Sequence, residues 1–193
     1  MATTRTKRPD RRVLRTRKAI MNAFDKLISS KDINKITVSA IAREADIDRK
    51  TFYLHFKSVD ELATYKTEEA LEQILMTLKA EGAGKSFPDR LRIVLSEVNR
   101  ILTANLVVYT NIAQRLSTDQ ALKHFEQASV PALVNSGLSA EMATNQQVRM
   151  RLQFFIAGAI SLYSTWLKSD RSQPIETVSD TIEESILSLH TME

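Results

Sequence analysis

The sequence predicts an all-α chain: a small N-terminal helix-turn-helix domain followed by a larger helical domain. Three observations predict it. Apolar residues recur every three or four positions from about residue 20 onward, and no stretch alternates apolar and polar as a half-buried strand does. The helix breakers Gly82, Gly84, Pro88, Gly137 and Pro174 fall between those periodic stretches. Residues 37–57, TVSAIAREADIDRKTFYLHFK, read as two short helices joined by a tight turn.

The rest of the chain is organised around this stretch. Its first helix is expected over Val38 to Ala45, where Val38, Ile41, Ala42 and Ala45 give one apolar face. Thr37 precedes it, where a hydroxyl can accept a bond from the first backbone N–H groups. In the turn, Asp46 tolerates a left-handed backbone and Ile47 plugs the space between the helices. Asp48 can cap the second helix, Arg49 to Phe56, which buries Phe52 and Phe56. The other side of that helix carries Arg49, Lys50, Thr51, Tyr53 and His55, with Lys57 just beyond, and no carboxylate. A short helix with a cationic, hydrogen-bonding outer face suits the major groove of DNA, where Arg and Lys reach guanine acceptors and Thr meets a thymine methyl. The N-terminus of the first helix, at Thr37, can lie against a phosphate.

The stretch resembles the helix-turn-helix of the TetR family of bacterial transcription regulators. The resemblance rests on Thr37-Val38 followed by Ile41-Ala42, on Thr51-Phe52-Tyr53 followed by His55-Phe56, and on Asp60-Glu61-Leu62 opening the next helix. It implies that Tyr53 and His55 contact DNA, that the last two long helices form a homodimer, and that a small-molecule effector binds in the larger domain. Around Phe154-Phe155-Ile156-Ala157-Gly158-Ala159 and Trp166-Leu167 the chain is also similar to a subgroup that includes regulators of dihydroxyacetone kinase operons. Two positions depart from the family. Asp46 stands where Gly is usual in the turn. Val59 stands where Lys is usual after the recognition helix, so Lys57 and the N-terminal arm are expected to replace that phosphate contact.

The charge distribution points the same way. Residues 1–57 hold 15 Lys/Arg against 6 Asp/Glu, whereas residues 58–193 hold 12 against 17. A basic end on an acidic remainder suits a polyanion. Arg11 and Arg12, at the start of the first long helix (Arg11 to Ser29), are candidate phosphate contacts behind a basic arm of ten residues. The alternative for the arm itself is a solubilising tail. Ile20, Phe24, Leu27 and Ile28 form that helix's apolar face and should cover Val38, Ile41, Ile47 and Phe52, with Ile33 and Ile36 closing the core.

The next helix begins near Ser58 and runs to about Ala80. Leu62 and Tyr65 face the small domain, and Leu71, Ile74, Leu75 and Leu78 make a second stripe, so this helix reads as a connector. Helices are expected over Pro88 to Ala104, Leu106 to Leu116, and Asp119 to Val134, where Pro131 kinks or ends the last of these. A long helix from Ala140 to Ser169 carries Leu152, Phe155, Ala159, Leu162 and Trp166 as a seam. The final helix, Pro174 to Leu189, carries Ile175, Val178, Ile182, Ile186 and Leu189. Two seamed helices in succession suggest a four-helix interface across a two-fold axis. The alternative is that both seams face the chain's own core.

Composition narrows the function. There is no cysteine, hence no thiolate chemistry. His55, His124 and His190 stand too far apart to suggest a metal site, and no cofactor is implied. With no glycine-rich phosphate loop and no paired catalytic groups, nothing argues for an enzyme. The first 18 residues are basic without an apolar core, and no apolar run reaches membrane-span length, so the expected location is cytoplasmic. Candidate effector-pocket residues are Tyr109, Ile112, Phe125, Phe154 and Tyr163, with Phe87, Leu91, Arg115 and Arg151 as further lining. The expectation is a homodimeric repressor on a palindromic operator, with residues 1–57 binding DNA and 58–193 dimerising and sensing. The rivals are an activator working through a protein partner and an architectural binder with little sequence preference.

Overall fold

The computed structural model describes residues 11–30, 35–115, 117, 119–120, 122–123 and 145–190. Eight helices and no strand occur among them: α1 (Arg11–Ser30), α2 (Val38–Glu44), α3 (Arg49–His55), α4 (Val59–Glu81), α5 (Phe87–Ala104), α6 (Leu106–Arg115), α7 (Gln146–Lys168) and α8 (Ile175–His190). The readings made for residues 1–10, Ile33, Phe125, His124 and Pro131, and most of the helix expected over Asp119 to Val134, lie outside the described residues. So does the start of the helix expected from Ala140.

The chain divides into two units, residues 1–62 and 63–193, and α4 begins in the first and continues into the second. In the first unit α1 packs on α2, and α2 on α3. Ile20, Met21, Ala23, Phe24, Leu27 and Ile28 recur at helical spacing and bury one stripe of α1. Ile20, Phe24, Ile28, Ile41, Phe52 and Leu62 are fully buried, and Phe56, Ile36 and Ala42 nearly so. Val38 and Ile47, expected in this core, are only half-buried: Val38 opens α2, and Ile47 lies in the turn outside both helices. Val59 is buried at the first turn of α4. That helix starts with Ser58 Oγ accepting the Glu61 N–H at 3.1 Å, while the Glu61 carboxylate accepts the Lys57 N–H. This reciprocal arrangement is close to a capping box.

In the second unit α5 packs on α8 and α6, α6 on α7, and α7 on α8. Its buried side chains include Leu95 and Ile101 of α5, Val108 and Ile112 of α6, Tyr163, Trp166 and Leu167 of α7, and Ile175, Ile182 and Ile186 of α8. Ser86 caps α5 by accepting the Asp89 N–H, and Pro88 sits in the first turn, where its missing N–H costs nothing. Between α7 and α8 the chain reverses through Arg171, whose φ is 56°. The Trp166 indole N–H donates to the Gln173 carbonyl at 2.8 Å and fastens this turn.

Candidate nucleic-acid interface

The α2–α3 geometry follows from two capping side chains and one left-handed residue. Thr37 is extended (φ −115°, ψ 155°), and its hydroxyl accepts the Ala40 N–H at 3.2 Å. Asp48 is likewise extended, and its carboxylate accepts the Thr51 N–H at 2.6 Å. That backbone bond, ahead of a side-chain bond from Thr51 and the charge of Lys50, holds the Asp48 carboxyl below the usual carboxylate range. Between the caps Asp46 adopts φ 54°, the left-handed conformation a tight turn needs. The Ile47 N–H returns to the Ala42 carbonyl at 3.0 Å.

These constraints fix which face α3 presents. Phe52 is fully buried and Phe56, the C-cap, is 2% exposed. Arg49, Lys50, Tyr53 and Lys57 are exposed, while Thr51 and His55 are half-buried. Tyr53 packs edge-on against Phe52, with ring centroids 5.6 Å apart and planes at 88°, so its phenol stands off a fixed base. Burial first, and then the charge of Arg17, lower the His55 pKa from its ordinary value. Both causes favour the neutral imidazole, in which one nitrogen donates and the other accepts. Arg11 and Arg12 are exposed at the start of α1.

Two residues that sequence reasoning did not single out stand in this region. Leu54 is 76% exposed on α3, beside Tyr53. An exposed leucine on a two-turn helix is a signal legible in the sequence only once the outer face is counted residue by residue. Arg17, half-buried on α1, places its guanidinium carbon 5.0 Å from the centroid of the Phe56 ring. Its position three residues before Ile20 and seven before Phe24 already puts it on the apolar stripe.

The effector candidates separate. Tyr109 and Ile112 are buried on α6 and Tyr163 on α7, whereas Phe154 is 68% exposed and Phe125 lies outside the described residues. Of the further lining, Phe87 and Arg151 are exposed, and Leu91 and Arg115 half-buried. A cleft of about 620 Å³ lies instead along α4 and α5, with Thr77, Glu81, Arg92, Glu97 and Arg100 in its wall. Its arginines are already engaged. Arg100 forks onto the Glu97 carboxylate at 2.6 and 2.8 Å, and Arg92 reaches Glu183 at 2.7 Å. The dimer-seam residues also divide. Trp166, Ile175, Ile182 and Ile186 are buried within this one chain, Phe155, Ala159 and Val178 are half-buried, and Leu162 is exposed. Among the described residues no group of three or more His, Asp or Glu side chains could hold a metal, and no helix is long and apolar enough to cross a membrane.

Two capped helices, an anchored second helix and an outer face of cations and hydroxyls make a helix-turn-helix, a shape that fits the major groove of DNA. Residues 20–65 match the family described as bacterial regulatory proteins, tetR family. That match covers about a quarter of the chain and falls on α1 to α4, with the helix-turn-helix at its centre. The chain is 27% identical over 175 residues to the "Uncharacterized HTH-type transcriptional regulator YxbF" of Bacillus subtilis (strain 168), across 89% of this chain and 44% of that protein. The chain thus spans less than half the length of that relative. Among solved structures, the fatty acid degradation regulator FadR from Bacillus halodurans superposes with a TM-score of 0.60 at 17% identity, covering 93% of this chain and 95% of the other. The dihydroxyacetone kinase operon activator DhaS gives 0.59 at 20% identity, covering 92% and 97%. At these identities the likeness to solved structures is one of fold.

Proposed function

We propose that the chain is a cytoplasmic homodimer that binds a palindromic operator through α3 and represses transcription until a small-molecule effector releases it. The observation that carries this reading is the outer face of α3. Arg49, Lys50 and Tyr53 stand exposed on a helix held by the Asp48 cap and the buried Phe52 and Phe56. Base-edge contacts need that rigidity, because each is made at fixed distance and angle. In this reading residues 1–57 bind DNA and residues 58–193 dimerise and sense. Arg11 and Arg12 join phosphates, and Thr37, Thr51, His55 and Lys57 complete the contact set.

Dimerisation is supported by the open face of α7. Met150, Phe154 and Leu162 are 60%, 68% and 42% exposed, a row of apolar side chains that a second copy would cover. Phe155 and Ala159, half-buried on the same helix, flank that row, and Val178 is half-buried on α8. The buried Trp166, Ile175, Ile182 and Ile186 contribute by fixing α7 and α8 to the rest of the chain. In such a dimer the two α3 helices would enter successive major grooves about 34–36 Å apart. An effector seated near Tyr109, Ile112 and Tyr163 would release DNA by changing that separation. DhaS is named an activator, so activation through a protein partner is the second reading.

The test is selection of duplexes from a random pool by the purified full chain, followed by binding to the selected and a scrambled duplex across salt. The expected result is one short palindrome, bound as a dimer at least about 10³-fold more tightly than the scramble. Equal affinity for both would replace this reading with an architectural one. A transcription assay on the selected palindrome separates repression from activation.

A further inference from the structure

A two-turn helix has almost no stability of its own and takes its orientation from what pins it. The N-terminal end of α3 is pinned by Asp48 and its middle by Phe52. At its C-terminal end the backbone leaves the helix at Phe56 (φ −145°, ψ 137°), and there Arg17 of α1 lies over the Phe56 ring at 5.0 Å. Phe56 in turn meets Phe52, with centroids 6.1 Å apart, and Phe52 meets Tyr53 edge-on at 5.6 Å. Arg17, Phe56, Phe52 and Tyr53 are thus one run of touching groups leading from α1 to the outer face of α3.

Arg17 is unlike the other cations of α1. Arg11, Arg12, Arg15 and Lys18 are exposed, whereas Arg17 occupies the buried stripe and is half-covered. A cation in that position loses hydration, and an aromatic face compensates a planar guanidinium better than a lysine ammonium. We propose that Arg17 is a positioning residue of the DNA interface: lying over the Phe56 ring, it sets the angle at which the C-terminal half of α3 presents Tyr53 and His55. The role rests on the operator-binding reading above. It has a second consequence beside α3, because the Arg17 charge disfavours the imidazolium form of His55.

The test compares Arg17→Met, which keeps the stem but removes the charge and the planar guanidinium, with Arg17→Lys, which keeps the charge alone. Arg15→Met is the control for a lost positive charge on α1. The probes are the duplex selected by the wild-type chain, its scramble, and the imidazole proton resonances of His55 followed through pH. In Arg17→Met the preference for the selected duplex should fall about tenfold, and His55 should titrate at higher pH than in the wild type. Arg17→Lys should keep the wild-type His55 titration and recover the preference only in part. Arg15→Met should weaken both duplexes alike. If Arg17→Met behaves as Arg15→Met and leaves His55 unmoved, the proposal is overturned. If Arg17→Met does not fold, Arg17→Lys decides: full wild-type preference overturns the role, and partial loss with unchanged His55 titration supports it. A wild-type chain that selects no sequence would remove the operator reading, while the His55 titrations would still test the contact of Arg17 with α3.

Discussion

The Tyr163 hydroxyl donates to the side-chain carbonyl of Asn99 at 2.8 Å, and this one bond ties α7 to α5. Asn99 passes the connection on. Its amide donates to Ser179 Oγ at 3.0 Å, and that hydroxyl donates to the Glu176 carbonyl at 2.8 Å. Three helices of the second unit are therefore registered by a polar chain in which Tyr163 and Ser179 are buried and Asn99 half-buried. Burial, and next the charge of Glu176, push the Tyr163 phenol above its ordinary pKa, so it remains a donor throughout the neutral range.

Tyr163→Phe removes that donor and leaves the Asn99 carbonyl to find another. The expected loss is about 1–2 kcal/mol, a fall in midpoint of roughly 2–8 °C for a chain of this size. Thermal unfolding followed by circular dichroism checks it. An unchanged midpoint would mean that the network carries no net stability.

The α4–α5 turn separates two kinds of glycine. A Cβ at Gly82 would lie 2.5 Å from the backbone oxygen of Leu78, which already accepts the Gly82 N–H at 2.8 Å. Gly84 has open space but a φ of 71°. Gly82→Ala should cost about 2–3 kcal/mol because helix backbone must shift, and Gly84→Ala about 1 kcal/mol from the left-handed conformation alone. Urea unfolding of both variants tests the order, and equal costs would contradict it.

Asp46 offers the matching test in the first unit. With φ at 54°, it holds a conformation that Ala reaches at a cost of about 1 kcal/mol and that Gly reaches freely. Asp46→Ala should lower the urea midpoint, and Asp46→Gly should leave it close to the wild type.

That turn was legible in the sequence for a physical reason. Thr37 and Asp48 each bond a backbone N–H three positions on, and Asp46 sets only its own backbone angle, so type and spacing were enough to assign them. The stripe of α1 was legible because 3.6-residue periodicity shows which residues share a face. Periodicity does not show what the face meets. Ile175, Ile182 and Ile186 fit a seam for a second chain as well as one for the chain's own core, and in the structure they are buried within one chain, on a helix that packs on α5 and α7. Arg17 was hidden for the same reason: its partner, Phe56, lies 39 positions away, and a cation on an apolar stripe looks like one more basic residue in a basic segment.

His55 gives the first unit a dependence on pH with a defined sign. Its folded-state pKa lies below the model-peptide value of 6.5, first because the ring is partly desolvated and then because Arg17 is near. The unfolded chain therefore binds the proton more readily. The contribution is fully present above 6.5 and is lost as pH falls from there through the lower folded-state value. The midpoint should decline slightly on acidification through that window, and His55→Gln should flatten the decline. A His55→Gln chain with the same slope as the wild type would assign the effect to other groups.

Tyr53 and Phe52 are neighbours in sequence and in contact, yet their substitutions should separate binding from folding. Phe52 is fully buried in the core of the first unit, and Tyr53 is 49% exposed above it. Phe52→Ala opens a cavity worth about 3–5 kcal/mol, a large fraction of what a unit of some 60 residues can supply. It should abolish DNA binding by unfolding α1–α3. Tyr53→Ala forfeits only the edge-on contact, about 0.5–1 kcal/mol, and should leave the unfolding curve close to the wild type. Its selected-duplex affinity should drop by about 1–3 kcal/mol, while binding to the scramble changes little. A well-folded Tyr53→Ala chain with wild-type affinity for the selected duplex would take Tyr53 out of the interface and leave Arg49, Lys50 and Leu54 as the residues to test on α3.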